Sequence, residues 1–269
     1  MFDMKGRAAI VTGSATGVGA ATALMLADIG CNVTVNYTKS RDEAEDVASQ
    51  IRAKGVEAIC VQADVGDDVQ CRKLVADTMA RWNRVDALVN NAGTTIFRSG
   101  DDLDLVQAED FQRIYQVNVV GPYQMARAVA PIMRKQVHAG DKRKGSVVNV
   151  SSIAGLMAVG SSIPYMCSKG ALNTLTLALA KSLSPEIRVN TICPGFIQTR
   201  WLQGGMGADN YAKAKAGQEK SSPLQQAGTP EHMAEVIVFF TASANNVTGE
   251  ILTSDAGFHL GALPLVGSR

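Results

Sequence analysis

The chain has 269 residues, of which 46% are hydrophobic and 19% charged, enough to bury a core and outside the range of disordered segments. Its 26 Lys and Arg against 25 Asp and Glu leave a net charge of +1, which excludes bulk electrostatic binding to nucleic acid or anionic lipid. No apolar run approaches the ~20 residues of a membrane span. The first residues, Met-Phe-Asp-Met-Lys-Gly-Arg, lead straight into an apolar segment and leave no room for a signal peptide.

Short β-branched runs alternate with longer helical patterns. Ala8 to Val11 predicts a first strand, followed by a Gly- and Ser-rich turn and a helix from Ala20 to Ile29 closed by Gly30. Asn32 to Tyr37 predicts a second strand and Arg41 to Lys54 a helix ended by Gly55. A third strand (Glu57 to Gln62), a helix (Asp68 to Trp82) and a fourth strand (Ala87 to Asn90) follow. Helices are expected at about Ala108 to Val119 and Tyr123 to Val137, then a strand at Ser146 to Val150. A long helix at about Tyr165 to Leu183, a strand at Arg188 to Cys193, a helix near Glu231 to Phe240 and a strand around Glu250 to Thr253 complete the series. The strands are almost wholly apolar rather than alternating, as burial on both faces requires, so the order predicts a doubly wound parallel α/β sheet in a single domain. Two stretches break the rhythm. His138 to Gly145 reads as a solvated basic loop, and Gln203 to Ser222, holding Gly204, Gly205, Gly207 and Gly217, as a mobile excursion.

The turn after the first strand is Thr12-Gly13-Ser14-Ala15-Thr16-Gly17-Val18-Gly19. Its glycines suit a tight backbone turn against a pyrophosphate, whose charge sits at the N-terminus of the following helix. A carboxylate after the second strand would bind ribose hydroxyls and repel a 2′-phosphate. Asn36-Tyr37-Thr38-Lys39-Ser40-Arg41 offers none, which favours NADP(H), with NAD(H) as the alternative; Lys39 and Arg41 also fit solvated charges opening a helix. Asp64 suits either an acceptor for the adenine amino group or a turn in Asp64-Val65-Gly66.

Asn90-Asn91-Ala92-Gly93 and Ser151-Ser152 close the fourth and fifth strands at the edge where open α/β sheets bind ligands. Tyr165 and Lys169 share a helix face one turn apart. An ammonium beside a phenol favours phenolate and moves Tyr165 from ~10 toward the working pH as acid or base. Taken alone, that pair equally fits an amphipathic helix with a snorkelling Lys.

The series Thr12 to Gly19, Asn90 to Gly93, Asn118, Ser152, Tyr165-x-x-x-Lys169 and Pro194-Gly195, in this order, resembles the short-chain dehydrogenase/reductase family in its single-domain branch. The likeness runs from the first strand to Val247-Thr248-Gly249-Glu250 and implies a three-layer Rossmann-type fold. It implies Asn118, Ser152, Tyr165 and Lys169 as the catalytic set. Tyr165 would move the hydroxyl proton, Ser152 hold the substrate oxygen, and Lys169 bind the nicotinamide ribose and depress the Tyr165 pKa. Asn118 would hold a water linking Lys169 to solvent, or alternatively cap a helix irregularity. Cofactor contacts are implied at Gly13, Ser14, Thr16, Gly17, Val18, Gly19, Tyr37, Thr38, Lys39, Ser40, Asp64, Val65, Asn91, Ala92, Gly93, Pro194, Gly195, Ile197 and Thr199, besides Tyr165 and Lys169. No metal is expected, since His138, His232 and His259 are scattered. Cys31, Cys60, Cys71, Cys167 and Cys193 form no CxxC pair, which points away from disulfides and toward a reducing cytoplasm, with Cys167 and Cys193 filling small positions.

Within the family the chain is most similar to 3-oxoacyl-[acyl-carrier-protein] reductases. The expected reaction is NADPH-dependent reduction of a 3-oxoacyl or similar ketone, with a small-molecule partner that is either free or acyl-carrier-bound. Two departures stand out: a short Ser184-Pro185-Glu186-Ile187-Arg188 connection, and the apparent insertion carrying Lys142, Arg143 and Lys144. A dehydrogenase of a sugar, polyol or other secondary alcohol is the alternative; a dinucleotide sensor without catalysis is opposed by the intact catalytic set. Substrate size is expected to be set by a lid at about 198–222 and by Ala154, Met157, Val159, Phe196 and Trp201. The helices around Tyr123 to Val137 and Tyr165 to Leu183 imply a homotetramer, with Ala171, Leu172, Leu175, Leu179 and Leu183 as an apolar face met by a partner or by more of the same chain. Leu260 to Arg269 is expected to reach a neighbouring subunit.

Overall fold

The computed structural model describes residues 3–98, 100–136 and 145–261. The chain runs β1 (Ala8–Val11), α1 (Gly17–Asp28), β2 (Asn32–Tyr37), α2 (Arg41–Ala53), β3 (Ala58–Gln62), α3 (Asp68–Trp82), β4 (Ala87–Asn90) and α4 (Ala108–Tyr115). A π-helical turn (Gln116–Val120) leads into α5 (Gly121–Lys135), β5 (Gly145–Val150), α6 (Ala154–Met157), α7 (Ile163–Leu183) and β6 (Ile187–Pro194). Then come α8 (Arg200–Met206), α9 (Ala208–Ser221), α10 (Pro230–Ala242) and β7 (Ile251–Ser254). Among the described residues, seven parallel strands form one sheet in the order β3-β2-β1-β4-β5-β6-β7.

Successive apolar residues of each strand feed opposite layers, which is why the strands carry no polar alternation. Val11, Val33, Val89 and Val148 pack with Leu26 of α1, Ile51 of α2 and Phe240 of α10. Their neighbours Ile10, Leu88 and Val147 pack the other way, against Leu74 of α3, Met125 and Met133 of α5 and Leu179 of α7. The strand order reverses between β1 and β4, so a crevice opens at the carboxyl ends of these two strands, between the turn into α1 and the loop leaving β4.

Helix boundaries depart from expectation where local signals compete. Helix α1 begins at Gly17 rather than Ala20, because the first turn of a helix tolerates glycine and needs no internal N–H partners. The break expected around Gly121-Pro122 is instead a π turn running into α5, with Pro122 in the first turn where a missing N–H costs little. Gln203 to Ser222 is helical rather than an irregular excursion. Ala, Lys, Gln and Glu are good helix formers, Lys215 pairs with Glu219 at 3.6 Å, and only Gly207, with φ of 76°, interrupts.

The apolar face assigned to a partner is largely internal: Leu172, Leu179 and Leu183 are buried within the subunit, and the large apolar side chains that α5 and α7 do expose are Tyr123 and Leu177. The basic segment His138 to Lys144 and the last residues, 262–269, lie outside the described residues. No helix among the described residues is long and apolar enough to cross a membrane.

Asp86 joins the start of β1 to the approach to β4. Its buried carboxylate accepts from Ala8 N at 2.9 Å and from Arg84 Nε and Nη2, each at 2.7 Å. Asp86→Ala is expected to lower the unfolding free energy by about 2 kcal/mol, since a backbone N–H and a guanidinium lose their acceptor. An unchanged urea midpoint would show that the pair contributes nothing net.

Candidate active site

The turn between β1 and α1 is held by side chains from two other strands. Gly13 and Gly17 have φ of 61° and 59°, a left-handed conformation that disfavours a β-carbon. Gly13 N donates to Asn36 Oδ1 at 3.0 Å, and Asn36 Nδ2 donates to Val61 O at 3.2 Å and Ala63 O at 3.0 Å. Thr12 Oγ1 accepts from Asn91 N and Ala92 N, each at 3.0 Å, while Asn91 Nδ2 donates to Thr12 O and Gly13 O at 2.9 Å. A β-carbon on Gly19 would lie 2.5 Å from Asn91 Nδ2, so glycine is what lets α1 approach the loop after β4.

Above this turn lies a cleft of about 1160 Å³. Thr16, Gly17 and Val18 line it beside Gly13, and Asn91, Ala92 and Gly93 face them. Thr38, Lys39, Asp64 and Val65 close one end; Pro194, Gly195, Ile197 and Thr199 border the other, where Ser152, Tyr165 and Lys169 meet. Four residues expected to touch a cofactor do not line it. The Ser14 hydroxyl is fully buried, donating to Val11 O at 2.7 Å and accepting from Asn36 N at 3.0 Å, so it braces the turn from behind. Gly19 faces Asn91, Tyr37 packs its ring on the core, and Ser40 sits at the start of α2. Asp64 lines the cleft, and its Oδ1 accepts from Gly66 N at 2.8 Å in a turn.

Helix α7 carries Tyr165 and Lys169. It is opened by Ser162, whose hydroxyl accepts from Tyr165 N at 3.4 Å, and by Pro164 in its first turn. Lys169 Nζ donates to Val150 O at 2.8 Å and lies 5.6 Å from the centre of the Tyr165 ring. Ser152 Oγ accepts from Ala154 N at 3.1 Å. Burial disfavours both charges, pushing the Tyr165 phenol up to about 12 and the Lys169 amine down to about 8. Part of the Tyr165 ring still faces the cleft, so water there softens the upward push. Burial is the largest influence on the phenol and raises it, against a lowering pull from hydrogen bonding to Ser152.

Asn118 sits in the π turn, a helix irregularity of the kind common at functional sites. Its Oδ1 accepts from Thr94 N at 2.8 Å, and its Nδ2 donates to Thr94 O at 2.9 Å and Ser168 Oγ at 3.0 Å. The amide ties the loop after β4 to α7 and does not line the cleft. The sulfur of Cys193 is buried beside Asn173 at 3.6 Å, and burial raises its thiol pKa, as suits a packing residue.

A family model described as enoyl-(acyl carrier protein) reductase, from the short-chain dehydrogenases/reductases, matches residues 13–259. The chain belongs to the short-chain dehydrogenase/reductase family. It is similar to a 3-oxoacyl-[acyl-carrier-protein] reductase of Synechocystis sp., with 34% identity over 96% of this chain and 98% of the relative. It is likewise similar to an L-rhamnose 1-dehydrogenase (NAD(P)(+)) of Sphingomonas sp., with 33% identity over the same shares. A crystal structure from Burkholderia xenovorans described as a short-chain dehydrogenase/reductase superposes with a TM-score of 0.87 at 40% identity, covering 95% of this chain and 98% of the other. The protein is accordingly an oxidoreductase of the nicotinamide-dependent kind.

The substrate side of this short-chain dehydrogenase/reductase holds residues the sequence did not single out: Thr94, Phe97, Arg113 and Gln218 all line the cleft. Gln218 anchors α9 by donating to Asp255 O at 2.9 Å. Of the expected flanking residues, Val159, Phe196 and Trp201 line the cleft, whereas Ala154 is buried and Met157 faces elsewhere. Nothing local marks Phe97 or Arg113, which reach the cleft only through the tertiary fold.

Gly155 sets the position of Lys169. A β-carbon there would lie 2.5 Å from both Gly170 N and the carbonyl carbon of Lys169. Gly155→Ala is expected to destabilise the protein by about 2 kcal/mol, a fall of roughly 5 °C in Tm, with a loss of turnover as Lys169 is displaced. Wild-type Tm and turnover in the variant would show that α6 relaxes freely.

Proposed function

We propose that the protein catalyses NADPH-dependent reduction of a 3-oxoacyl or similar ketone. The observation that carries this reading is the placement of Ser152, Tyr165 and Lys169 together at one end of a cleft whose other wall is a glycine cradle. The similarity to a 3-oxoacyl-[acyl-carrier-protein] reductase supports the substrate class. The similarity to L-rhamnose 1-dehydrogenase supports a second reading, oxidation of a sugar hydroxyl at the same site.

The residues present suit a dinucleotide. Gly13 and Gly17 hold left-handed conformations at the cleft floor, and the N-terminus of α1 offers unpaired amides to a pyrophosphate. Thr38 and Lys39 line the end that would hold the adenosine ribose, with no carboxylate at the end of β2, which suits a 2′-phosphate. Ile197 and Thr199 border the nicotinamide end. When bound, the nicotinamide supplies a hydride to a carbonyl carbon or accepts one from a secondary alcohol.

Ser152 and Tyr165 hold the substrate oxygen with their hydroxyls and stabilise the charge that develops on it. Tyr165 gives its proton to that oxygen. Its phenol, pushed up rather than down, remains protonated across the neutral range and is therefore ready to donate. Lys169, an ammonium below about 8, binds ribose hydroxyls and balances the phenolate left behind. A cytoplasmic homotetramer is the assembly we assign on the family's habit.

The decisive assay is the initial rate with an acetoacetyl thioester and NADPH or NADH. Turnover with NADPH well above that with NADH is expected; no turnover despite cofactor binding would refute the 3-oxoacyl reading. Tyr165→Phe should lower turnover by on the order of 10³-fold with cofactor binding retained. Thr38→Asp should shift preference toward NADH by at least about tenfold, because a carboxylate meets the 2′-phosphate. The reductive rate should fall as pH rises through about 8, where Lys169 loses its charge. A flat profile from pH 7 to 9.5 would separate Lys169 protonation from catalysis.

A further inference from the structure

The carbonyl carbon reduced here carries a substituent that must lie within a few ångströms of the Tyr165 hydroxyl. Another ring lies beside that of Tyr165 in the cleft. Trp201 of α8 has its centre 6.3 Å from that of Tyr165, tilted by 50°, and Phe97 meets Trp201 edge-on at 5.9 Å and 63°. Val159, Leu202 and Met206 complete the wall. The cations on this side are already engaged, Arg113 with Thr94 at 3.3 Å and Asp110 at 3.9 Å, and Arg200 with Glu43 at 3.7 Å.

The two rings differ in freedom. A β-carbon on Gly205 would fall 1.9 Å from Phe97 Cε2, so Phe97 lies directly on the α8 backbone in a socket that only glycine leaves open. Trp201, one turn earlier on the same helix face, is 47% exposed and touches Tyr165 without being enclosed. A substrate beside the Tyr165 ring meets Trp201 there. A flat aromatic substituent restores ring contact on both sides. A methyl group leaves two ring faces without partners.

We propose that this cleft selects 3-oxoacyl compounds, or related ketones, whose reacting carbonyl bears an aryl or other flat apolar group, with Trp201 and Phe97 as specificity-determining residues and Trp201 standing in that group's place when the cleft holds no substrate. This rests on the ketone-reductase reading and narrows it.

The test compares ethyl benzoylacetate with ethyl acetoacetate, β-keto esters that differ only in phenyl against methyl at the reacting carbonyl. Conjugation makes the aryl ketone the less reactive of the two, so a preference for it comes from the protein. With NADPH, kcat/KM should favour benzoylacetate by at least about tenfold. Trp201→Ala should bring the two within about threefold and Trp201→Phe should retain most of the preference. A lid with a merely structural role would lower both rates together and leave the ratio intact. A wild-type ratio at or below one, or a ratio that survives Trp201→Ala, overturns the proposal. Binding is read separately by quenching of Trp201 fluorescence in a Trp82→Phe protein titrated with each ester. If neither ester turns over although NADPH binds, the ketone-reductase reading fails, and the fluorescence titration alone decides: at least about tenfold tighter binding of benzoylacetate sustains the aryl subsite, and weaker discrimination rejects it.

Discussion

A buried ammonium anchored to one strand end organises the catalytic half of the molecule. Lys169 Nζ meets Val150 O at 2.8 Å, fixing α7 against the last residue of β5. An amine in that position resists carrying charge, which is why its pKa falls to about 8. The surrounding sequence is arranged to keep it there. Ser162 and Pro164 start α7 at the right residue, Gly155 lets α6 press on the backbone at Lys169 and Gly170, and Asn118 clamps the loop after β4 to Ser168. Tyr165 follows from the helix period alone, one turn before Lys169. The stability given up by burying a charge is retained as a reactive pair, a trade common at active sites.

The two halves of the cleft are built from different materials. The cofactor side is a lattice of short backbone and amide hydrogen bonds: Thr12, Asn36 and Asn91 each bind more than one backbone group, and Gly13 and Gly19 each press on backbone or a short side chain. Such a lattice has one arrangement and suits a ligand that does not vary. The substrate side is made of rings, a methionine and two helices broken at Gly207, held by dispersion and a few long-range hydrogen bonds. Such contacts are less directional than the hydrogen bonds of the cofactor side.

The same division decides what was legible in the sequence. The sheet and its doubly wound order were readable because apolar strands alternate with helices along the chain, whereas Ser152, Tyr165 and Lys169 came together as a set only through the resemblance to the family, the Tyr165 to Lys169 spacing alone fitting an amphipathic helix equally well. Asn118 was readable as a position, but its role was not, since its partners Thr94 and Ser168 lie on other segments. Ser14 and Gly19 read as cofactor contacts because the glycine motif is contiguous in sequence; in space Gly13, Thr16, Gly17 and Val18 line the cleft while Ser14 braces the turn from behind and Gly19 faces Asn91. The helices α8 and α9 were hidden by their glycines. A glycine count suggests a loop, yet Gly205 is there because Phe97 lies on it, a reason found 108 positions away.

That last contact shows where chemical class and substrate identity part in this fold. In the mechanism we propose, proton transfer depends on Tyr165 and Lys169, neighbours on one helix, so the reaction is written locally. In the proposed subsite, the group next to the reacting carbonyl meets Phe97, Val159 and Trp201, contributed by the loop after β4, the approach to α7 and α8. No spacing rule relates these residues: Val159 and Trp201 are expected beside the site from the sequence, whereas nothing local marks Phe97. They acquire meaning only when the parallel sheet brings the ends of β4, β5 and β6 to one edge and α8 folds back across it. Substrate choice in such a protein is a property of the assembled edge.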